Sequence, residues 1–114
     1  MIRGLQHVNI EVEDVEAARA FYAGTLGLRE IPRGEGRQRE GAWFQLDGGA
    51  QLHVSLQPGC AERNRASKRH FCLSVEDLDA LRRTLPDIQD KGTRIFVRER
   101  NVASGRIRYA AFSR

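Results

Sequence analysis

The chain is poor in the features that usually settle a protein's class. No apolar run approaches the roughly 20 residues of a bilayer-spanning helix, so a membrane protein is not expected. Only two cysteines are present, Cys60 and Cys72, and they form neither a CxxC pair nor a disulfide framework. They read as reduced thiols, Cys60 in a loop and Cys72 buried on a strand. The start, Met1-Ile2-Arg3-Gly4, lacks the charged-then-apolar layout of a secretory leader, and a cytoplasmic location is expected. Zinc-finger spacing, an HExxH pair and nucleic-acid recognition motifs are all missing.

What remains is 114 residues, enough for one compact domain, with 40% hydrophobic and 30% charged side chains. The net charge of +4 comes mainly from arginines in 29–39, 63–69 and 94–108. Only 63–69 is dense enough to resemble a phosphate-contacting loop, and such a run is ordinarily a solvated surface. Nucleic acid is therefore not the expected partner. The positive field favours an anionic small substrate over a cationic one.

Hydrophobic periodicity orders the chain. Residues 5–12 alternate with period two, putting His7, Asn9 and Glu11 on one strand face and Val8, Ile10 and Val12 on the other. Asp14 offers an N-cap, Gly27 a helix end, and Val15, Ala18, Phe21, Tyr22 and Leu26 recur at helical spacing, so a helix is expected over 15–26. Short strands follow at 28–33, 42–47 and 50–56, the last two joined at Gly48-Gly49. Residues 58–67 read as a polar connector. Then the pattern restarts: an alternating strand over 69–75, a helix opened by Glu76-Asp77 and ended by Pro86, and strands at 93–99 and 106–112 joined by a loop over 101–105.

The restart is an internal repeat. His7-Val-Asn-Ile-Glu-Val-Glu-Asp and His70-Phe-Cys-Leu-Ser-Val-Glu-Asp each lead with histidine and close on Val-Glu-Asp before a helix. The repeat points to an α+β fold in one domain, 1–114, with a first module at 1–57 and a second at 68–114. The first has three strands after its helix and the second only two, so the second is one strand short.

The three histidines, His7, His53 and His70, are far apart in sequence. Taken singly, each reads as a half-buried side chain with one hydrogen bond. Taken with the repeat, equivalent strand positions would meet in one concavity, where three neutral imidazoles would suit Zn, Ni, Fe, Mn or Co. Asn9 and Glu11 share the His7 face. Trp43 and Phe44 would line a pocket or, more ordinarily, fill the core. Arg108 would anchor a carboxylate or stand solvated at an edge.

The segments Leu5–Asp14, Ala42–His53 and His70–Leu81 together resemble the vicinal oxygen chelate superfamily of glyoxalase I, extradiol dioxygenases and the fosfomycin and bleomycin resistance proteins. The resemblance implies paired βαβββ modules forming a curved sheet around a metal or ligand cup, a divalent metal held by His7, His53 and His70, and a homodimer. The superfamily's usual fourth ligand, a glutamate on the closing strand, has no counterpart here. One alignment puts Tyr109 in its place; the preferred one matches 106–112 to the penultimate strand, so that the chain stops where the ligand strand would start. Without that glutamate, proton transfer would fall to Glu11, Tyr109 or a metal-bound hydroxide, with Asn9, Trp43 and Arg108 on the substrate. The leading expectation is a glyoxalase-type lyase, isomerase or dioxygenase acting on a small anion with adjacent oxygens. The alternative is a non-catalytic binding or resistance protein of the same fold, although a basic chain suits cationic bleomycin poorly.

Overall fold

Strand β1 (His7–Val12) lies at the edge of a four-stranded sheet, parallel to β4 (Gln51–Leu56), which separates it from β3 (Gly41–Gln45) and β2 (Arg29–Ile31). A computed structural model describes residues 1–84, 94–102 and 105–113. These divide into two compact units, Met1–Cys60 and Ala61–Arg114.

In the first unit the alternation seen in the sequence becomes the two faces of the sheet. Val12, Ala42, Phe44, Leu52 and Val54 are buried on one face. Val15, Ala18, Phe21 and Tyr22 of the following helix are buried as well, and Tyr22 meets Phe44 with ring centroids 5.7 Å apart. Burying side chains of this size is worth about 1.5–3 kcal/mol each, so this face carries the stability and leaves the other free for polar groups.

The helix starts where expected: Asp14 Oδ1 accepts from the Ala17 N–H at 3.0 Å, and Glu16 sits in the first turn. It does not run as one α-helix to residue 26. Helix α1 (Val15–Arg19) widens into a π-helical segment, Ala20–Thr25, in which the Leu26 N–H reaches the Phe21 carbonyl at 2.9 Å. Both Phe21 and Tyr22, neighbours in sequence, are buried there, with rings edge to face at 4.9 Å. Gly27 then takes φ +73°, the left-handed conformation that stops a helix.

The β3–β4 hairpin turns at Gly48 and Gly49, both at positive φ, as the sequence leads one to expect. The connector expected over 58–67 is instead largely helical, as α2 (Cys60–Ala66). Its burial is carried by Cys60, which is fully buried, so the helix has no apolar stripe to betray it. The two cysteines exchange the roles expected of them: Cys60 is the buried thiol and Cys72 the exposed one. Neither is in a disulfide.

The second unit holds β5 (Phe71–Ser74), α3 (Leu78–Thr84), β6 (Arg94–Val102) and β7 (Gly105–Ser113). Along β5, Phe71 and Leu73 are half-buried while Cys72 and Ser74 are exposed, the expected alternation. Asp77 caps α3 through the Ala80 N–H at 2.9 Å, matching Asp14 in the first unit. Pro86 lies outside the described residues. The sheet order is β5-β7-β6, wholly antiparallel, and pairing continues to Val102–Gly105, so the expected loop over 101–105 is mostly ladder. Among the described residues no strand runs parallel to β5 as β4 runs beside β1. Among the described residues the first unit has four strands and the second three.

Candidate functional site

The open face of the first sheet is built in cross-strand rows. His7, Gln51, Gln45 and Arg29 share one row; Asn9, His53, Trp43 and Ile31 the next; Glu11, Ser55 and Gly41 a third. His7, Asn9, Glu11, Trp43 and His53 are all on this face. Of the two aromatic residues, Phe44 is core, and Trp43 is half-buried on the open side.

Four planar groups stack on this face. The Trp43 and His53 rings are 4.0 Å apart at their centroids and only 3° from parallel. His7 covers the other side of His53 at 4.2 Å and 18°. The Arg37 guanidinium caps the outer face of Trp43, 4.9 Å from its centroid. His53, between two rings, is 7% exposed, whereas His7 is exposed. Burial pushes the pKa of His53 below its ordinary value, and the nearby His7, Arg37 and Arg33 push it the same way. His53 is the neutral centre of the column.

A line of amides fixes which nitrogen of His53 carries the proton. Gln45 Nε2 donates to the Leu46 and Ala50 carbonyls at 3.0 and 3.1 Å, which turns its Oε1 toward Gln51 Nε2 at 3.4 Å. Gln51 Oε1 is then left to face His53 Nε2 at 2.9 Å. An amide oxygen only accepts, so Nε2 holds the hydrogen. His7 and His70 are arranged the opposite way. Nδ1 of His7 donates to Gln6 Oε1, and Nδ1 of His70 donates to the Lys68 carbonyl at 2.8 Å. In both, Nε2 keeps a free lone pair. Asn9 Oδ1 accepts from Ser55 Oγ at 2.8 Å, and Glu11 is half-buried opposite Ser55.

The structure brings His7 and His53 together, while His70 is an exposed residue just before β5 in the second unit. Tyr109 stands opposite Ser74 and Arg108 opposite Glu99 in the second ladder. Among the described residues no group of three or more His, Cys, Asp or Glu side chains is placed to hold a metal ion. The geometry of the pair explains part of this. A metal binds an imidazole nitrogen in the plane of its ring, about 2.0–2.1 Å away. Lone pairs in two nearly parallel, stacked planes do not meet at one point, and Nε2 of His53 is already a donor. As arranged, His7 and His53 do not fit a shared ion.

Sequence reasoning passed over Arg33, Arg37, Gln45 and Gln51. The arginine density over 29–39 was a signal for the first two, but it carried no direction; nothing in the sequence showed the two glutamines as a relay.

The fold agrees with what the chain is similar to. Residues 6–112 match the family model described as the glyoxalase/bleomycin resistance protein/dioxygenase superfamily. The chain belongs to that superfamily. Among solved structures it is similar to a protein from Bacillus anthracis assigned to the glyoxalase family, with 26% identity and a TM-score of 0.57, covering 86% of this chain and 77% of that one. The fold is shared with a lactoylglutathione lyase from Agrobacterium tumefaciens, at 17% identity and a TM-score of 0.55, covering 92% and 81% of the two chains. It is also shared with an integron cassette protein from the mobile metagenome of V. cholerae, at 17% identity and a TM-score of 0.54, covering 98% and 87%. No curated protein matches the sequence.

Proposed function

We propose that the chain is a small-molecule-binding protein whose ligand lies on the open face of the first sheet, against the Trp43–His53–His7 column. The observation that carries this reading is the column itself: three stacked rings on the sheet face opposite the core. Ligand sites are mostly apolar or aromatic walls with a few placed polar groups, and Asn9, Gln51 and Arg37 supply those here. The ligand is a small anion with adjacent oxygens, in keeping with the net charge of +4. Residues 1–57 and 68–114 are taken as modules of one domain, working as a cytoplasmic homodimer; superfamily membership supports the dimer. Among the described residues no helix is long and apolar enough to cross a membrane. The test is a thermal-shift screen of small carboxylates and their neutral analogues on chelator-treated protein. Stabilisation by some compound, lost in Trp43→Ala, is expected; no stabilisation by any compound would sink the reading.

A second reading is a metal-dependent lyase, isomerase or dioxygenase of the glyoxalase type, with His7, His53 and His70 as ligands. A specific observation favours it. His7 and His70, equivalent in the repeat, both donate through Nδ1 to an oxygen and keep Nε2 open, the disposition usual for a metal-bound imidazole. Glu11 and Tyr109 would then be the proton-transfer groups, with Asn9, Trp43 and Arg108 toward the substrate. Its requirement is that His53 leave the stack. Elemental analysis after loading with Zn, Ni, Fe, Mn or Co decides it. About one ion per chain, lost in both His7→Ala and His70→Ala, supports this reading; metal retained equally by both variants, or none at all, removes it.

A further inference from the structure

The loop between β2 and β3 sends two guanidinium groups to the column, and neither is paired with a carboxylate among the described residues. Arg37 lies over Trp43. Arg33 donates from Nη2 to the Arg39 carbonyl at 2.8 Å, while its Nε is buried without any hydrogen-bond partner. Its guanidinium carbon rests over the bare backbone of Gly41, 3.2 Å from where a side chain would begin there. Both arginines lie within electrostatic reach of the His53 ring.

A buried donor without a partner is a standing cost, and it is the kind of group that a bound acceptor satisfies. Two guanidinium groups on one loop, neither in an ion pair among the described residues, form a local excess of positive charge. A guanidinium presents its N–H groups in a planar fork that matches the two oxygens of a carboxylate. The neighbouring amides, Gln51 and Asn9, are neutral and Glu11 shares the row of Gly41, so the site supplies at most about two positive charges rather than the larger number a polyanion would demand. Arg33 is long and flexible, and a swing off Gly41 uncovers its Nε.

We infer that Arg33 and Arg37 form an anion-binding site at the edge of the Trp43–His53 column, which takes the carboxylate of a small organic ligand. This rests on the reading of that face as the ligand wall. Trp43 is the chain's one tryptophan, so its indole N–H gives a single, assignable signal in a proton–nitrogen correlation spectrum. Benzoate, neutral benzamide and inorganic phosphate are titrated separately into chelator-treated protein.

Benzoate is expected to shift the indole signal saturably, with benzamide about 10-fold weaker or worse. Arg33→Gln and Arg37→Gln are each expected to weaken benzoate by about 10-fold or more, the size of effect usual for a hydrogen bond to a charged group, and to weaken benzamide by much less. Equal binding of benzoate and benzamide overturns the anion site while the ligand wall stands. No shift with either compound overturns both. Phosphate binding as tightly as benzoate marks an unselective oxyanion site and overturns the organic carboxylate. Benzoate affinity unchanged in both arginine variants, with their spectra still dispersed as in the folded parent, overturns the assignment to these residues.

Discussion

Trp43 and His53 are direct partners across the β3–β4 ladder, and their rings lie 3° from parallel at 4.0 Å. A cross-strand pair normally contributes a few tenths of a kcal/mol to about 1 kcal/mol. Here it also keeps an ionisable ring out of water.

That placement makes stability depend on pH with a definite sign. The folded pKa of His53 is below its ordinary value of 6.5, chiefly through burial. The unfolded chain therefore takes up the proton first. The contribution of neutral His53 is complete above about pH 6.5 and is lost as pH falls from there through the lower, folded pKa. The melting temperature is expected to drop on acidification from pH 7 to 5, and His53→Gln to flatten that part of the profile. A variant with the same acid slope as the parent would remove His53 as the cause.

The amide line predicts a tautomer. Long-range proton–nitrogen spectra at pH 8 are expected to show His53 protonated at Nε2 and His7 at Nδ1. Gln51→Leu removes the acceptor and should turn His53 into a mixture of tautomers, with His7 unaffected. Finding His53 protonated at Nδ1 in the parent would break the chain of reasoning from the Leu46 and Ala50 carbonyls.

Gly41 is required by close approach, not by turn geometry. A Cβ there would lie 2.1 Å from the Val54 carbonyl oxygen, which belongs to the neighbouring strand and has no room to yield. Gly41→Ala is expected to cost about 1–3 kcal/mol, the range of overpacked sites. Denaturant unfolding measures this directly, and a variant as stable as the parent would contradict the register of β3 on β4.

The cysteines offer a check on burial. Cys72 should react with an aromatic disulfide reagent in the native protein, and Cys60 only after unfolding, since the first is exposed and the second has 0% exposure. One fast thiol is expected, absent in Cys72→Ser. Two fast thiols would mean that α2 does not hold Cys60 in place.

The parts of this fold that could be read from the sequence are those where period and burial coincide. His7–Val12 alternates because successive side chains take opposite faces of the sheet, and Asp14 and Asp77 announce α1 and α3 because capping is a local act. Helix α2 escaped notice because a seven-residue helix buried through Cys60 has no repeating stripe. The π-helical segment has the same apolar spacing as an α-helix and differs only in which carbonyl each N–H reaches. Cys72 was misjudged against the strand's own alternation, which sets it with His70 and Ser74 on the polar side. For the site, the sequence offered the histidines and Trp43 as candidates but not their order in the stack, since that depends on rotamers and on Arg37 folding back from a loop.

The column's parts come from very different distances along the chain. Trp43 and His53 meet across a tight hairpin whose closure is quick and local. His7 arrives only when the edge strand at the beginning of the chain lies down beside β4, a pairing of His7 with Gln51 that closes a much longer loop. Loop closure therefore favours an order in which the pair of rings meets first and the third ring joins last. A change that loosens the amino-terminal strand would leave Trp43 against His53 and uncover the imidazole on one side, so the N-terminal edge sets how much of the column is exposed.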